Sequence, residues 1–280
     1  MRCCARSSSL GVPCAFTLIE LLVVVAIMGV LLSLAVSAFN AIGSATDFGS
    51  EVFNIAGTFN QARAYAVANN TYVLAGICEV SASQEPAVNP QTSGTGRVTM
   101  ALFASANGLR PYIVSTSSLQ NWANTGYGTG SAFVPVGTLL QCPNLDLVDL
   151  QNGGSTPPAP PNGMARPTVA VTYDIPNLLC RTYNEFGWPK GTMLKGSPAP
   201  QYYFGFSALH PKSFVVEFDP QGSARVINTS TLAAIPPNIE IGLQPSHGSF
   251  APAPPASQTS GQIAAIQING ISGAIHIYRP

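Results

Sequence analysis

Hydrophobic patterning begins with an unbroken run. From Phe16 to Phe39, "FTLIELLVVVAIMGVLLSLAVSAF", nearly every side chain is apolar, and one carboxylate, Glu20, sits just inside the start. At about 1.5 Å per residue the run makes roughly 35 Å of helix, enough for the hydrocarbon core of a bilayer. Beyond it the spacing turns amphipathic. Val52, Ala56, Phe59, Arg63 and Ala66 fall near one helical face with Phe53 and Val67 alongside, which predicts a helix over 40–70 lying on a sheet. Gly43, Gly49 and Gly57 weaken that helix, and Asn69-Asn70 supplies its stop.

From Thr71 onward the pattern shortens into strands: "TYVLAGI", "RVTMALFA", "PYIVS", "TVAVTYDI", "YYFGFSAL", "SFVVEFD", "IEIGL", "IAAIQI" and "AIHIYR", separated by Gly, Pro, Asn and Ser. Two reversals are explicit. In "SFVVEFDPQGSARVI" the alternation Phe214, Val216, Phe218 runs into Asp219-Pro220-Gln221-Gly222 and returns through Ala224 and Val226. In "IAAIQINGISGAIHIYRP" Ile266 and Ile268 share one strand face and Ile275 and Ile277 another, joined through Asn269 to Gly273. The expected fold is α+β: a long N-terminal helix, its first half transmembrane over 16–39 and continued over 40–70, packed on an antiparallel β-sheet or β-sandwich domain over 71–280.

Composition limits what such a domain does. Only 9% of the 280 residues are charged, and twelve basic and twelve acidic side chains cancel. No global field draws the chain to nucleic acid, so partners are recognised by shape and apolar contact. Between about Val80 and Pro200, and again in "APAPPASQTSG", Pro, Gly and Ser write loop-like segments. His210, His247 and His276 are scattered, with His276 expected to face outward, and no G-x-S-x-G, H-E-x-x-H, P-loop, EF-hand or C-x-x-C pattern occurs. No catalytic residue, metal or cofactor is expected, and the chain reads as something other than an enzyme.

The first fifteen residues carry Arg2, Arg6, Cys3 and Cys4 ahead of the apolar run. A secretory signal would place its apolar core before the cut, and here that order is inverted. Lipidation at Cys14 is opposed by Val12 and Pro13 and by the lack of a preceding apolar stretch. A carboxylate at Glu20 costs about 2.5 kcal/mol or more in a membrane helix. It either meets a specific partner or reaches up to the headgroups.

At these residues the chain resembles a known family. "AFTLIELLVVVAIMGVLLSLA" is similar to the N-terminal signature of type IV pilins and type II secretion pseudopilins. The resemblance implies cleavage by a prepilin peptidase between Ala15 and Phe16, methylation of the new Phe16 amine, and Glu20 as the fifth residue of the mature chain. Ala15 stands where the family usually has Gly, and Cys14 where a charged residue is common. "FNQARAYAVANNTYVLAGI" and the two C-terminal hairpins resemble the GspH/FimT class of minor pseudopilins. The ending "IQINGISGAIHIYRP" resembles the Verru_Chthon cassette protein D group.

The resemblance implies an assembly role for Glu20, facing the Phe16 amine of a neighbouring subunit. The implied partners are the prepilin peptidase, other pilin or pseudopilin subunits, an inner-membrane assembly platform and membrane lipid. The implied location is a single-pass inner-membrane anchor with the C-terminal domain in the periplasm. There disulfides persist; three cysteines cannot all pair internally, and Cys142 with Cys180 is the expected bridge, leaving Cys78 buried on its strand. Arg63 is expected to cap or salt-link the helix end. The rival readings are a DNA-binding or adhesive minor pilin. Loss of Arg2 and Arg6 with the leader leaves the mature chain slightly acidic, which argues against nucleic acid.

Overall fold

A computed structural model describes residues 18–88, 90–110, 133–148, 150, 172–175, 186–188, 201–204, 212–226, 235–250 and 263–279. The side chains of residues 33–46, 133, 172–175, 186–188 and 203 lie outside that description. The chain divides into two compact units, Met1–Thr46 and Asp47–Pro280. Helix α1 (Leu18–Ala68) is followed by β1 (Val73–Ser81), β2 (Gly96–Ser105), β3 (Phe133–Pro143), β4 (Leu145–Val148), β5 (Thr172–Ile175) and β6 (Phe186–Trp188). Then come β7 (Tyr202–Phe204), β8 (Ser213–Phe218), β9 (Ala224–Val226), β10 (Asn238–Pro245), β11 (Ala264–Asn269) and β12 (Ile275–Tyr278). The expected strand "PYIVS" lies outside the described residues, as does Cys180.

Helix α1 stops at the expected asparagines, and the geometry gives the reason. Asn70 takes φ 49°, the left-handed conformation that asparagine tolerates. The N–H of Thr71 then donates to the Ala66 carbonyl at 3.0 Å and that of Asn70 to Val67 at 3.4 Å, which is a Schellman cap. The chain leaves this cap straight into β1.

The first sheet runs β3-β2-β1-β8-β9, every pair antiparallel. The second runs β12-β11-β10-β4, antiparallel as expected, and β5 joins β10 in parallel beside Asn238–Ile241. Strand β4 takes Gly242–Pro245 on the same edge of β10, so β5 occupies the length of edge that β4 leaves. The two sheets meet where the Ala224 N–H donates to the Gly270 carbonyl at 2.7 Å.

One core fills the space between the sheets and the C-terminal part of α1. It takes Val52, Ile55, Phe59, Ala62 and Ala66 from the helix, with Val73, Ala75 and Ile77 from β1 and Ile239, Ile241, Ile266 and Ile268 from the second sheet. Phe59 and Phe218 are fully buried with ring centroids 6.4 Å apart; burying each aromatic ring contributes about 1.5–3 kcal/mol. Phe53 and Val67, expected beside the stripe, are instead 62% and 49% exposed. The buried stripe turns toward Ile55 and Ala62, because three- and four-residue steps from Val52 and Phe59 reach those positions.

Strand β1 is buried on both faces. Its alternate residues Leu74 and Cys78 join Phe103, Tyr202, Phe204 and Val215 in a second apolar cluster, where β7 covers the sheet. Gly76 allows that approach: a Cβ there would lie 2.6 Å from Phe204 Cγ. Double burial explains why "VLAGICEV" reads as a nearly continuous apolar run, without strict alternation.

Candidate functional site

Three places in the molecule gather features that folding alone does not require. The first is the N-terminal part of α1. Glu20 occupies its first turn and is exposed, where the positive end of the helix dipole favours a carboxylate. Around it Leu18, Ile19, Leu21 and Leu22 are exposed, and the large apolar side chains on to Leu32 are exposed as well. Apolar surface on every side of a helix is cover for a bilayer or for another helix, since beyond Glu20 nothing polar marks a solvent face.

Among the described residues no helix is long and apolar enough to cross a membrane. The described side chains of the run end at Leu32, a rise of roughly 22 Å from Leu18 against about 30 Å of hydrocarbon. Ala15 and Phe16 lie outside the described residues.

The second place is the corner where the conspicuous turns meet. Gly222 (φ 84°) closes the Asp219-Pro220-Gln221-Gly222 reversal, with Asp219 Oδ1 accepting the N–H groups of Gln221 and Ser223 at 3.0 and 2.8 Å. Gly273 (φ 62°) closes the final hairpin, its N–H donating to Asn269 at 2.7 Å. The pairings follow as expected: Phe218 opposite Ala224, Ile266 opposite Ile277 and Ile268 opposite Ile275, with His276 exposed.

A Cβ on Gly273 would sit 2.1 Å from the Gly222 carbonyl oxygen and 3.0 Å from Arg63 Cδ, so both turns and the helix meet there. Among the described residues Arg63 forms no ion pair, so the expected salt link at the helix end is not seen there. Its stem lies across the glycine turns, and its buried Nε has no hydrogen-bond partner. At this corner the Arg63 stem packs against both turns.

Buried charges make a third feature, which sequence reasoning missed. Glu79, Asp146 and Glu217 all lie within strands and all are buried. Glu217 accepts from Arg110 Nε at 2.8 Å, while its Oε2 is unpartnered; burial, opposed by Arg110, pushes its carboxyl up to about 7. Glu79 pairs with Lys212, and burial pushes it up to about 8 against that ammonium. The signal was present: with 9% charged residues, a Glu inside "GICEV" and an Asp inside "LDLV" need a built partner.

The expected Cys142–Cys180 bridge falls on Cys180, which lies outside the described residues. Cys142 is a buried thiol, raised by burial and by the Glu51 carboxylate that takes its hydrogen bond. The Cys78 sulfur lies 2.8 Å from Thr99 Oγ1, inside its strand as expected. Among the described residues no three His, Cys, Asp or Glu side chains gather as metal ligands.

No curated protein and no solved structure matches the chain. Residues 14–36 match the family model of the prokaryotic N-terminal methylation motif. Those residues include Ala15, Phe16 and Glu20, and over them the chain carries the signature of type IV pilin-like and pseudopilin proteins.

Proposed function

We propose that this protein is a minor pseudopilin of the GspH/FimT class, a structural subunit of a type II secretion or type IV pilus-type filament. A prepilin peptidase cuts between Ala15 and Phe16, the Phe16 amine is methylated, and residues 16–39 anchor the chain in the inner membrane. The domain built on Asp47–Pro280 stands in the periplasm. One observation carries this reading: the methylation motif spans residues 14–36, and the helix that begins inside it runs on to Ala68 at the edge of a packed β domain.

Glu20 has a definite task in that filament. In a staggered bundle it faces the Phe16 amine of the next subunit, and two charges excluded from water become a pair. At about 4 Å and an effective dielectric near 20 the attraction is on the order of 4 kcal/mol, enough to offset much of the desolvation of both groups. Glu20→Ala is therefore expected to leave membrane insertion intact and to deplete the subunit from filaments sheared off cells. Equal recovery of mutant and wild type in that sheared fraction contradicts the assembly role.

A further inference from the structure

Lys212, immediately ahead of β8, lies between two carboxylates that belong to different sheets. Its Nζ stands 2.8 Å from Glu79 Oε2 on β1 and 2.5 Å from Asp146 Oδ1 on β4. The second Asp146 oxygen, Oδ2, accepts from Gln244 Nε2 at 2.6 Å. Glu79 is held in turn by the Gly96 N–H on Oε1 at 3.0 Å and the Leu147 N–H on Oε2 at 3.2 Å. The side chains of Glu79 and Asp146 are 0% and 5% exposed, and that of Lys212 is 30% exposed.

An ion pair held this way is also an amine held against a carboxyl carbon, with a second carboxyl touching the same nitrogen. What separates the ion pair from an amide is the location of protons, because an ammonium has no lone pair to attack with. We propose that Lys212 and Asp146 close an intramolecular amide bond, with Glu79 as the proton carrier, and so lock the first sheet covalently to the second.

The step balances without any co-reactant. Lys212 Nζ gives a proton to Glu79 and attacks Asp146 Cγ. The Nζ–Cγ bond forms and the Cγ–Oδ1 bond breaks. Two of the three ammonium protons leave with Oδ1 as water by way of Glu79, and the third stays on the amide nitrogen. Glu79 ends in the state in which it began. During the attack negative charge gathers on Asp146 Oδ2, where the Gln244 N–H already points.

Burial favours the exchange. It pushes Glu79 up to about 8, so this carboxylate is a stronger base than an exposed one. Burial also pulls Lys212 down, although Glu79 and Asp146 more than offset that and leave its pKa raised. The proton is therefore handed over inside the triad, and the transfer removes two buried charges at once. The product joins residues 66 apart in sequence, and like a disulfide it restricts the unfolded chain, with no oxidant required.

The test is peptide mapping by mass spectrometry on the full chain, purified in detergent, denatured and proteolysed. The expected product is a branched peptide joining Lys212 to Asp146, lighter than its two arms by one water, with trypsin blocked after Lys212. Asp146→Asn is expected to give the same branched peptide, formed with loss of ammonia instead of water. Glu79→Gln, checked for folding by circular dichroism, is expected to give two linear peptides. Linear, unmodified Lys212 and Asp146 peptides from the folded wild-type chain overturn the proposal, and a branched peptide that persists in Glu79→Gln overturns the role of Glu79.

Discussion

Helix α1 contains two apolar regions of opposite character. From Leu18 to Leu32 apolar side chains point in every direction and are exposed; from Phe48 to Ala66 a narrow stripe is buried while Asn54, Asn60 and Gln61 mark the other side. The second region has its burial settled within the chain, by two sheets that share its core. The first has nothing within its own sequence to tell one face from another except Glu20. A uniform apolar helix is stabilised by whatever surrounds it, and a striped one by what it packs on.

The comparison breaks most sharply at Phe59. Phe59→Ala removes a fully buried ring and is expected to cost about 3–5 kcal/mol. Leu22→Ala, in the exposed region, should change the stability of the β domain by less than about 0.5 kcal/mol. Urea unfolding of the full chain in detergent, followed through the β domain, measures both. Equal losses at the two positions would erase the distinction between the regions.

Gly76→Ala comes next. Its new Cβ would meet the Phe204 ring at 2.6 Å, and overpacking of that kind costs about 1–3 kcal/mol in the same measurement.

The effect of pH is smaller and has a definite sign. Glu217 stands at about 7 folded against 4.5 as its ordinary value, so the folded chain holds this proton where the unfolded chain has released it. Stability from this group is highest at or below 4.5 and declines as pH rises toward 7. Thermal melts across that window should slope downward, and Glu217→Gln should flatten the slope. The smallest effect is expected at Phe53, exposed but with the Arg279 guanidinium 5.3 Å from its ring centroid. Phe53→Ala should cost about 0.5–1 kcal/mol, measured by the same unfolding.

Local chemistry was legible in the sequence wherever neighbours decide it. The Asn69-Asn70 stop, the Asp219–Gly222 reversal and the Asn269–Gly273 hairpin each depend on side chains within a few residues, and each stands where the sequence puts it. Helix phase was legible only to within one position, since Phe53 and Val67 lie at the margin of the stripe that Ile55 and Ala62 complete. The meeting of Arg63 with Gly222 and Gly273, and that of Lys212 with Glu79 and Asp146, were not legible. Those contacts arise from strand order, and no local spacing encodes which strand lies beside which. The parallel pairing of β5 was hidden for the same reason.

The N-terminal methylation motif was legible for the opposite reason. Residues 14–36 follow one another in a single segment, so the order of Ala15, Phe16 and Glu20 can be read without a fold. The most direct measurement of the account is the mass of the mature N-terminus, from protein expressed with a prepilin peptidase. The account predicts a chain that begins at Phe16 with a methylated amine and keeps Glu20 as its fifth residue. A chain that retains Met1, or that carries lipid on Cys14, contradicts it.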